Sequence, residues 1–226
     1  ANAADDQIFW SWRGLPEDIE ITEGSAFAPS MTFVMPDEDV TLEAVLETIE
    51  LAKPQGDGTA SNPFEIGTMS ELYWFQRFVN GALTAEDITV EPTAACAKVV
   101  KDITVNADLL DSDGMPAQTF GLAKWTPIAM GSSYTGTFDG QNYTISNVYQ
   151  NTWDMFGDYN SGYSGTPNHY KDGMGIFGFV MNGTIKNLTV SGNISTTNSR
   201  AGGIAGQVSG VTLIENCVNN CTVNAA

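Results

Sequence analysis

Two glycine-bounded tetrads near the end of the chain limit the folds that this sequence can adopt. Gly175-Ile-Phe-Gly178 is repeated as Gly203-Ile-Ala-Gly206, so the tetrads start at positions that differ by 28 (203 − 175). Each tetrad is followed further along by Asn, at Asn187 and Asn216, whose positions differ by 29 (216 − 187). A period of this length with short strands and Gly or Asn corners is typical of a solenoid, whose coils bury their apolar faces only against neighbouring coils.

A related pentad occurs three times and indicates how the coils stack. Each copy has an aliphatic residue at its second position and Asn at its fourth: Thr144-Ile-Ser-Asn-Val148, Thr184-Ile-Lys-Asn-Leu188 and Leu213-Ile-Glu-Asn-Cys217. We expect Ile145, Ile185 and Ile214 to point into one interior. The three asparagines are expected at a common corner, because Asn tolerates the left-handed conformation and stacked amides can hydrogen-bond from coil to coil.

The residues around these repeats follow a specific order. Asn62-Pro-Phe-Glu-Ile66, Trp125-Thr-Pro-Ile128 and Tyr134-Thr-Gly-Thr-Phe-Asp-Gly140 precede Gly202-Gly-Ile-Ala-Gly206, and Ile214-Glu-Asn-Cys217 closes the series. This order resembles the GLUG-type β-helix modules of bacterial surface proteins, over about residues 56–226. The resemblance implies a right-handed parallel β-helix on an exported, adhesin-like or protease-associated protein.

A single amphipathic helix is predicted before the repeats. Thr68-Met-Ser-Glu71 has the capping-box pattern, in which the Thr side chain accepts from a first-turn amide and the Glu side chain reaches back. Leu72, Phe75 and Val79 follow at i, i+3 and i+7, and Gly81 suits the left-handed residue that ends a helix. We predict a helix over 69–80 that caps the first coil, since a bare terminal coil exposes backbone edges.

Residues 1–50 are predicted to form a separate, small and acidic β module. They carry twelve acidic residues and one basic residue, and short alternating strands flank a turn at Pro36-Asp-Glu-Asp39. Residues 32–44 resemble the closing hairpin of the internalin B-repeat family, whose members are β-grasp-like modules of bacterial surface proteins. Their sequence is Thr32-Phe-Val-Met-Pro-Asp-Glu-Asp-Val-Thr-Leu-Glu-Ala44. Residues 1–50 contain either a whole module of this kind or part of one. We interpret the turn-rich residues 51–62 as a linker and residues 63–226 as the β-helix.

The expected fold class is therefore all-β: a right-handed parallel β-helix capped by one short N-terminal helix and preceded by a small β module. A net charge of −18 makes nucleic acid and anionic membranes poor partners, because both would be repelled. No stretch is long enough for membrane insertion. Cys96, Cys217 and Cys221 do not make a disulfide framework or a metal-binding spacing, so buried free thiols are expected.

An aromatic-rich insert interrupts the coils at 151–173 and is the candidate binding site. Aromatic rings on a polar loop stack on sugars and peptides, and loops on rigid scaffolds often carry function. The alternative is a loop that folds back over the flank of the β-helix with its rings packed inward. The ligand-binding candidates are Trp153, Tyr159, Tyr163, His169 and Tyr170.

Clustered carboxylates offer a candidate calcium site before the repeats. Asp108, Asp111 and Asp113 place oxygen ligands close together, although the spacing is not that of an EF-hand loop. The alternative is a solvated, Asp-rich turn. No other metal or cofactor motif is present, so calcium is the one cofactor that the sequence leaves open.

The sequence contains no pattern of an active site. Asp139 belongs to the turn Gly136-Thr-Phe-Asp-Gly140, where it is expected to cap amides of that turn. Enzymes that cleave acidic polysaccharides need Lys or Arg beside the scissile bond. Here Lys171, Lys186 and Arg200 are few and dispersed. No catalytic residue is therefore assigned.

These observations favour a non-enzymatic bacterial protein that is secreted or held at the cell surface, like an adhesin or a stalk, and that binds a host or bacterial glycan or a surface protein. Two alternatives stay open: a carbohydrate-active β-helix enzyme, hydrolase or lyase, and a purely structural spacer of a larger surface protein. Because Val223-Asn-Ala-Ala226 follows a predicted strand without a capping helix, we expect further coils or another chain to follow there.

Overall fold

The described part of the chain is built mainly from β-strands. The computed structural model describes residues 7–13, 15–16, 19–24, 31–37, 39–106, 122–151, 173–196 and 200–225. Within these ranges there are fifteen strands, one α-helix and one short 3-10 helix. The predicted all-β class is confirmed, and parallel sheets are present.

The N-terminal strands pair antiparallel. They are β1 (Gln7–Arg13), β2 (Ile21–Gly24), β3 (Met31–Phe33) and β4 (Glu43–Thr48). β1 pairs with β4 and β2 pairs with β3, each pair with one register shift. The expected hairpin over 32–44 is therefore wrong, since β3 and β4 belong to different sheets. The connection from Phe33 to Glu43 is long for a hairpin and contains Pro36, which lets the second strand leave for another partner.

All pairings between the later strands are parallel. These elements are β5 (Phe64–Ile66), α1 (Met69–Val79), a 3-10 turn (Pro92–Ala94), β6 (Ala97–Val99), β7 (Ile103–Thr104), β8 (Thr137–Asp139), β9 (Thr144–Asn151), β10 (Phe177–Met181), β11 (Thr184–Lys186), β12 (Thr189–Thr196), β13 (Ala205–Ser209), β14 (Leu213–Glu215) and β15 (Val218–Ala225). They form a five-stranded sheet β14-β11-β8-β6-β5, a four-stranded sheet β15-β12-β9-β7 and the pair β10-β13. The chain thus visits the three sheets in the same order in β10–β12 and again in β13–β15.

The register of these sheets reproduces the sequence period. Phe177 lies opposite Ala205, a difference of 28 in position (205 − 177). Ile185 lies opposite Ile214, a difference of 29 (214 − 185). The offset read from the glycine tetrads and from the later two pentads is therefore confirmed as the spacing between paired strands.

The first pentad occupies a different sheet from the other two. Ile145 lies opposite Ile103 and Val190 in the four-stranded sheet, whereas Ile185 and Ile214 share the five-stranded sheet. Ile145 and Ile185 are both buried in one core, as expected, but the three isoleucines do not form one stack, because Ile145 belongs to another sheet and Ile214 is 40% exposed. Asn147 has a φ of +57° because it is the extra residue of a β-bulge, not a member of the corner formed by the other two asparagines.

The predicted helix is confirmed with its caps. α1 starts after Thr68, whose hydroxyl accepts from the Glu71 amide at 3.2 Å, and the Glu71 carboxylate accepts from the Gly67 amide at 2.8 Å. Asn80 follows the last helical residue, and Gly81 has the left-handed φ of +72°. Both ends therefore follow the local signals in the sequence.

An aromatic cluster joins α1 to the sheets. The ring of Phe75 lies 6.1 Å from Phe64, 6.5 Å from Tyr134 and 5.9 Å from Phe138. Tyr73 packs edge-on against Trp125 at 5.3 Å. All of these side chains are buried in one continuous core, so the helix covers the side of the five-stranded sheet where β5 lies.

Residues 51–62, interpreted as a linker, are hydrogen-bonded to the parallel sheets. Glu65 donates its backbone amide to the Gln55 carbonyl at 2.8 Å, which covers the free edge of β5. The Cys96 amide donates to the Gly58 carbonyl at 2.7 Å. The division of the chain into domains stays a prediction.

Candidate functional site

The candidate binding and calcium residues fall outside the described ranges. This applies to the insert residues Trp153, Tyr159, Tyr163, His169 and Tyr170 and to the carboxylates Asp108, Asp111 and Asp113. Both sets therefore stay predictions. The structure does describe the two stems between which the insert is placed.

The stems of the insert are fixed to each other and to the sheets. The insert leaves after Asn151, the last residue of β9, and the described chain resumes at Gly173. Gln150 and Met174 are both buried, and the Gln150 Nε2 donates to the Met174 Sδ at 3.2 Å. Met174 also donates its backbone amide to the Arg200 carbonyl at 2.8 Å. The insert thus begins and ends beside residues that are buried and hydrogen-bonded.

Buried polar atoms lie beside this base. Among the described residues, the Gln150 Oε1 and the Asn193 Nδ2 find no hydrogen-bond partner, although both side chains are buried. Tyr149, opposite Asn193 in the ladder, is buried as well and packs on Leu122. Buried donors and acceptors without partners are rare in folded proteins. The base of the insert therefore has a free acceptor and a free donor among the described residues.

A row of alternating charges crosses the outer face of the five-stranded sheet. Its members stand opposite each other in the register of β5, β6, β8, β11 and β14: Glu65, Lys98, Asp139, Lys186 and Glu215. Neighbouring strands lie about 4.8 Å apart, so each side chain faces an opposite charge on the adjacent strand. We call this set the charge row.

Two ion pairs within the charge row are formed directly. The Lys98 Nζ lies 2.9 Å from the Glu65 Oε1, and the Lys186 Nζ lies 3.3 Å from the Asp139 Oδ2. Partial burial raises the pKa of Asp139, but hydrogen bonds from the Asn187 side chain, the Gln141 amide and Lys186 outweigh that burial and hold the pKa below its usual value. The Gln141 amide donates to the Asp139 Oδ1 at 3.0 Å, which confirms the predicted turn cap.

A ladder of amides runs beside the charge row. The Asn216 Nδ2 donates to the Asn187 Oδ1 at 3.2 Å, and the Asn187 Nδ2 donates to the Asp139 Oδ1 at 3.0 Å. Asn187 and Asn216 have φ angles of +52° and +51°. The predicted asparagine corner is therefore confirmed for these two residues, with Asp139 in the third place.

The cysteines are free thiols in the described structure. All three are partly buried. Burial raises the pKa of Cys221 to about 12, and burial also raises the pKa of Cys217. Because the thiolate is the reactive form, neither thiol has the character of a nucleophile near neutral pH.

Within the described ranges no group of three His, Cys, Asp or Glu residues is placed to hold a metal ion. None of the helices in that part of the chain has the length and apolarity needed to cross a bilayer.

The described geometry is that of an all-β protein with parallel sheets, a buried base for one insert and a row of charges on one sheet. Comparison with protein-family models, with curated proteins and with solved structures found no match to this chain.

Proposed function

We propose that residues 63–226 form a right-handed parallel β-helix, capped by α1, that belongs to a non-enzymatic bacterial protein secreted or held at the cell surface. In this proposal the β-helix acts as an adhesin-like scaffold that presents the insert to a glycan or a surface protein. The likeness of the repeats to GLUG modules supports this assignment.

Support for the β-helix comes from the order of the strands. Between the last two coils, all three strands pair in parallel at offsets of 28 or 29 residues beside an asparagine corner, as stacked coils of similar length require. α1 and residues 51–62 cover β5 at one end, as a solenoid cap does.

The observation that carries the binding role is the fixed base of the insert. Gln150 and Met174 are buried and hydrogen-bonded to each other, so the aromatic residues between them are tethered at both ends to the core. A tethered aromatic loop loses less conformational entropy on binding than a free one. Ring faces of Trp and Tyr match the apolar faces of sugars and the side chains of peptides.

Support for an extracellular setting comes from the polar composition of the coils. Beyond Gly173 the charged residues are Lys186, Arg200 and Glu215, and Asn, Ser, Thr and Gly supply the remaining polar surface. The strong overall acidity keeps such a protein soluble without a bound partner.

A glycan array and a panel of bacterial and host surface proteins test the proposal. Three forms are compared: the wild-type chain, a variant with 152–172 replaced by a short Gly-Ser linker, and Tyr143→Ser as a matched control. Tyr143 is an exposed aromatic residue that lies outside the insert. We expect binding by the wild type and by the control, and loss of binding in the deletion.

Two results would overturn this proposal. Binding that survives the deletion would leave the insert without a role and favour a structural spacer. Asp154 is a carboxylate of the insert that could act with Asp139 in cleaving a glycosidic bond. Release of reducing sugar from a polysaccharide panel, abolished by Asp154→Ala, would instead establish the carbohydrate-active enzyme.

A further inference from the structure

The four-stranded sheet differs from the rest of the protein in its charge. Its strands β7, β9, β12 and β15 contain no Asp, Glu, Lys, Arg or His. The five-stranded sheet, in contrast, carries the charge row, and the whole chain has a net charge of −18. One sheet of a strongly acidic protein is therefore neutral.

Hydroxyl and amide side chains cover the outer face of this sheet. On β12, Val190 and Ile194 are buried, so the residues that alternate with them point outward. We call the following outward residues of β7, β9 and β12 the neutral face: Thr104, Thr144, Ser146, Thr189, Ser191 and Asn193. Thr104 is exposed and the next four are half-buried, so a ligand can reach their polar atoms.

The polar groups of the neutral face stand in register. Thr189 lies opposite Thr144, and Ser146 lies opposite Thr104, with their hydroxyl oxygens 3.2 Å apart. Such groups recur about every 4.8 Å from strand to strand and about every 7 Å along each strand. A ligand that bonds to several of them must offer donors and acceptors at similarly short, regular intervals.

A buried donor without a partner belongs to the same face. Asn193 lies opposite Tyr149 and is 3% exposed, and its Nδ2 finds no hydrogen-bond partner among the described residues. Because Asn193 follows Ser191 by two residues on a regular strand, its side chain points to the neutral face. A buried donor is costly unless some group accepts from it. This donor is a second sign, independent of the hydroxyl pattern, that the neutral face bonds to a polar ligand.

Charge and composition disfavour most classes of ligand. Anionic polymers and membranes are repelled by the net charge, and a cationic ligand finds no carboxylate on these four strands. The cores of protein–protein interfaces are rich in aromatic, Met and Arg side chains. These strands contain no Met or Arg, and their one aromatic residue, Tyr149, is buried. An uncharged ligand with many hydroxyl groups remains.

We propose that the neutral face binds an uncharged polysaccharide, whose hydroxyl groups exchange hydrogen bonds with the Thr, Ser and Asn side chains of β7, β9 and β12. β9 ends at Asn151, where the insert leaves, so a chain of several sugars on the neutral face lies beside the stem of the insert. This inference deepens the proposed function, on which it rests for the choice of a glycan over a surface protein. It assigns part of the glycan site to strands that the structure describes.

Isothermal titration calorimetry on the whole chain tests the proposal. The probes are three soluble uncharged polysaccharides, dextran, mannan and xyloglucan, with anionic polygalacturonate for comparison. We expect the wild type to bind at least one of the uncharged polymers and not to bind polygalacturonate, which the net charge repels.

Removing two facing hydroxyl groups tests the face itself. The double variant Thr144→Val/Thr189→Val keeps the shape of both side chains and should raise the Kd for the uncharged polymer about 10-fold, because two hydrogen bonds to the ligand are lost. Thr137→Val/Thr184→Val is the matched control, since these two Thr also lie opposite each other and are half-buried, but on the five-stranded sheet. The Kd of the control should equal that of the wild type.

Circular dichroism and thermal melting verify that each variant is folded. Ser191→Leu, which fills the middle of the neutral face, should also weaken binding and keeps the test valid if the double variant unfolds. A wild-type chain that binds none of the uncharged polymers overturns the proposal. A folded double variant that binds like the wild type, or a control that loses as much affinity, overturns it as well.

Deletion of 152–172 separates this inference from the proposed function. Binding that the deletion abolishes but the folded double variant keeps would leave the insert as the binding site and remove the neutral face. Binding that the double variant weakens but the deletion leaves unchanged would support the neutral face and overturn the role of the insert.

Discussion

At the scale of single residues, a very close backbone approach in the sheets occurs at a glycine. Gly192 has a φ of +144° and lies opposite Val148 where β9 bulges. A Cβ built there would overlap the Val148 carbonyl oxygen, which is backbone and cannot move aside cheaply. The bulge therefore depends on glycine on the facing strand.

We expect Gly192→Ala to lower the free energy of unfolding by roughly 3 kcal/mol, because the methyl group forces the two strands apart. Gly131→Ala is the control: it also has a positive φ, +71°, but no atom lies within 4 Å of its Cβ position. That change should cost only about 1 kcal/mol, the strain of a left-handed Ala. Urea denaturation of both variants measures the difference. Equal losses would contradict the close approach at the bulge.

Asn187 combines a left-handed backbone with two side-chain hydrogen bonds. Asn187→Gly keeps the backbone conformation and removes the bonds to Asp139 and Asn216, at an expected cost of about 1–2 kcal/mol. Asn187→Ala loses the bonds and adds strain, so it should be less stable than the Gly variant by about 1 kcal/mol. Urea midpoints of the two variants check this order. An Ala variant as stable as the Gly variant would show that the φ of +52° is not maintained in solution.

Residue patterns of this kind were partly readable from the sequence. The Asn corner and the Asp139 cap could be predicted because Asn and Asp carry their own turn chemistry. The three pentads could not be aligned correctly, because Asn serves equally well at a corner, as in Asn187, and at a bulge, as in Asn147. A five-residue pattern therefore does not determine the sheet in which its strand lies.

At the scale of elements, the charge row links five strands that are unevenly spaced in sequence. The positions of Lys186 and Glu215 differ by 29 (215 − 186), whereas those of Asp139 and Lys186 differ by 47 (186 − 139), because the insert lies between them. No fixed period reveals such a row, so it became visible only from the register. α1, in contrast, was predictable, since its capping box and apolar spacing are local.

Reversing one charge tests whether the row stabilises the sheet. Lys186→Glu places three acidic residues side by side and should cost roughly 1–2 kcal/mol relative to Lys186→Met, which removes the charge alone. Molar salt should reduce the difference in the free energy of unfolding between the two variants, because the ion pairs are partly exposed and salt screens them. Urea denaturation at low and high salt measures both effects. A gap that salt does not change would mean that packing, not charge, causes the loss.

The pKa of Asp139 predicts how the row responds to acid. The pKa of Asp139 is lowered in the folded state, so the ionised carboxylate adds to the free energy of unfolding. This contribution is complete above the pKa of an unfolded carboxyl group, about 3.9, and is lost as the pH falls through the lower folded value. The stability difference between wild type and Asp139→Asn should therefore be full at neutral pH and shrink in strong acid. Denaturation at several pH values gives the difference. A stability difference that does not change with pH would contradict the pairing of an ionised Asp139 with Lys186.

At the scale of the whole molecule, the two ends of the parallel sheets are unequal. One end is covered by α1 and residues 51–62, with Phe64 fully buried among rings of the helix. The other end is formed by β13, β14 and β15, where Ile214 is 40% exposed. The capping box and apolar spacing of α1 already predict that one end is covered. The size of the uncovered face depends on which strands pair, and the sequence alone does not give that pairing.

We therefore expect local opening to start at β13, β14 and β15. In stacked coils each strand is stabilised mainly by its neighbours, and β14 has one neighbour where β11 and β8 have two. Hydrogen exchange followed by mass spectrometry should show protection that decreases from β8 through β11 to β14. Uniform protection across the three strands would show that the sheet opens as one unit and that the end effect read from Ile214 is absent.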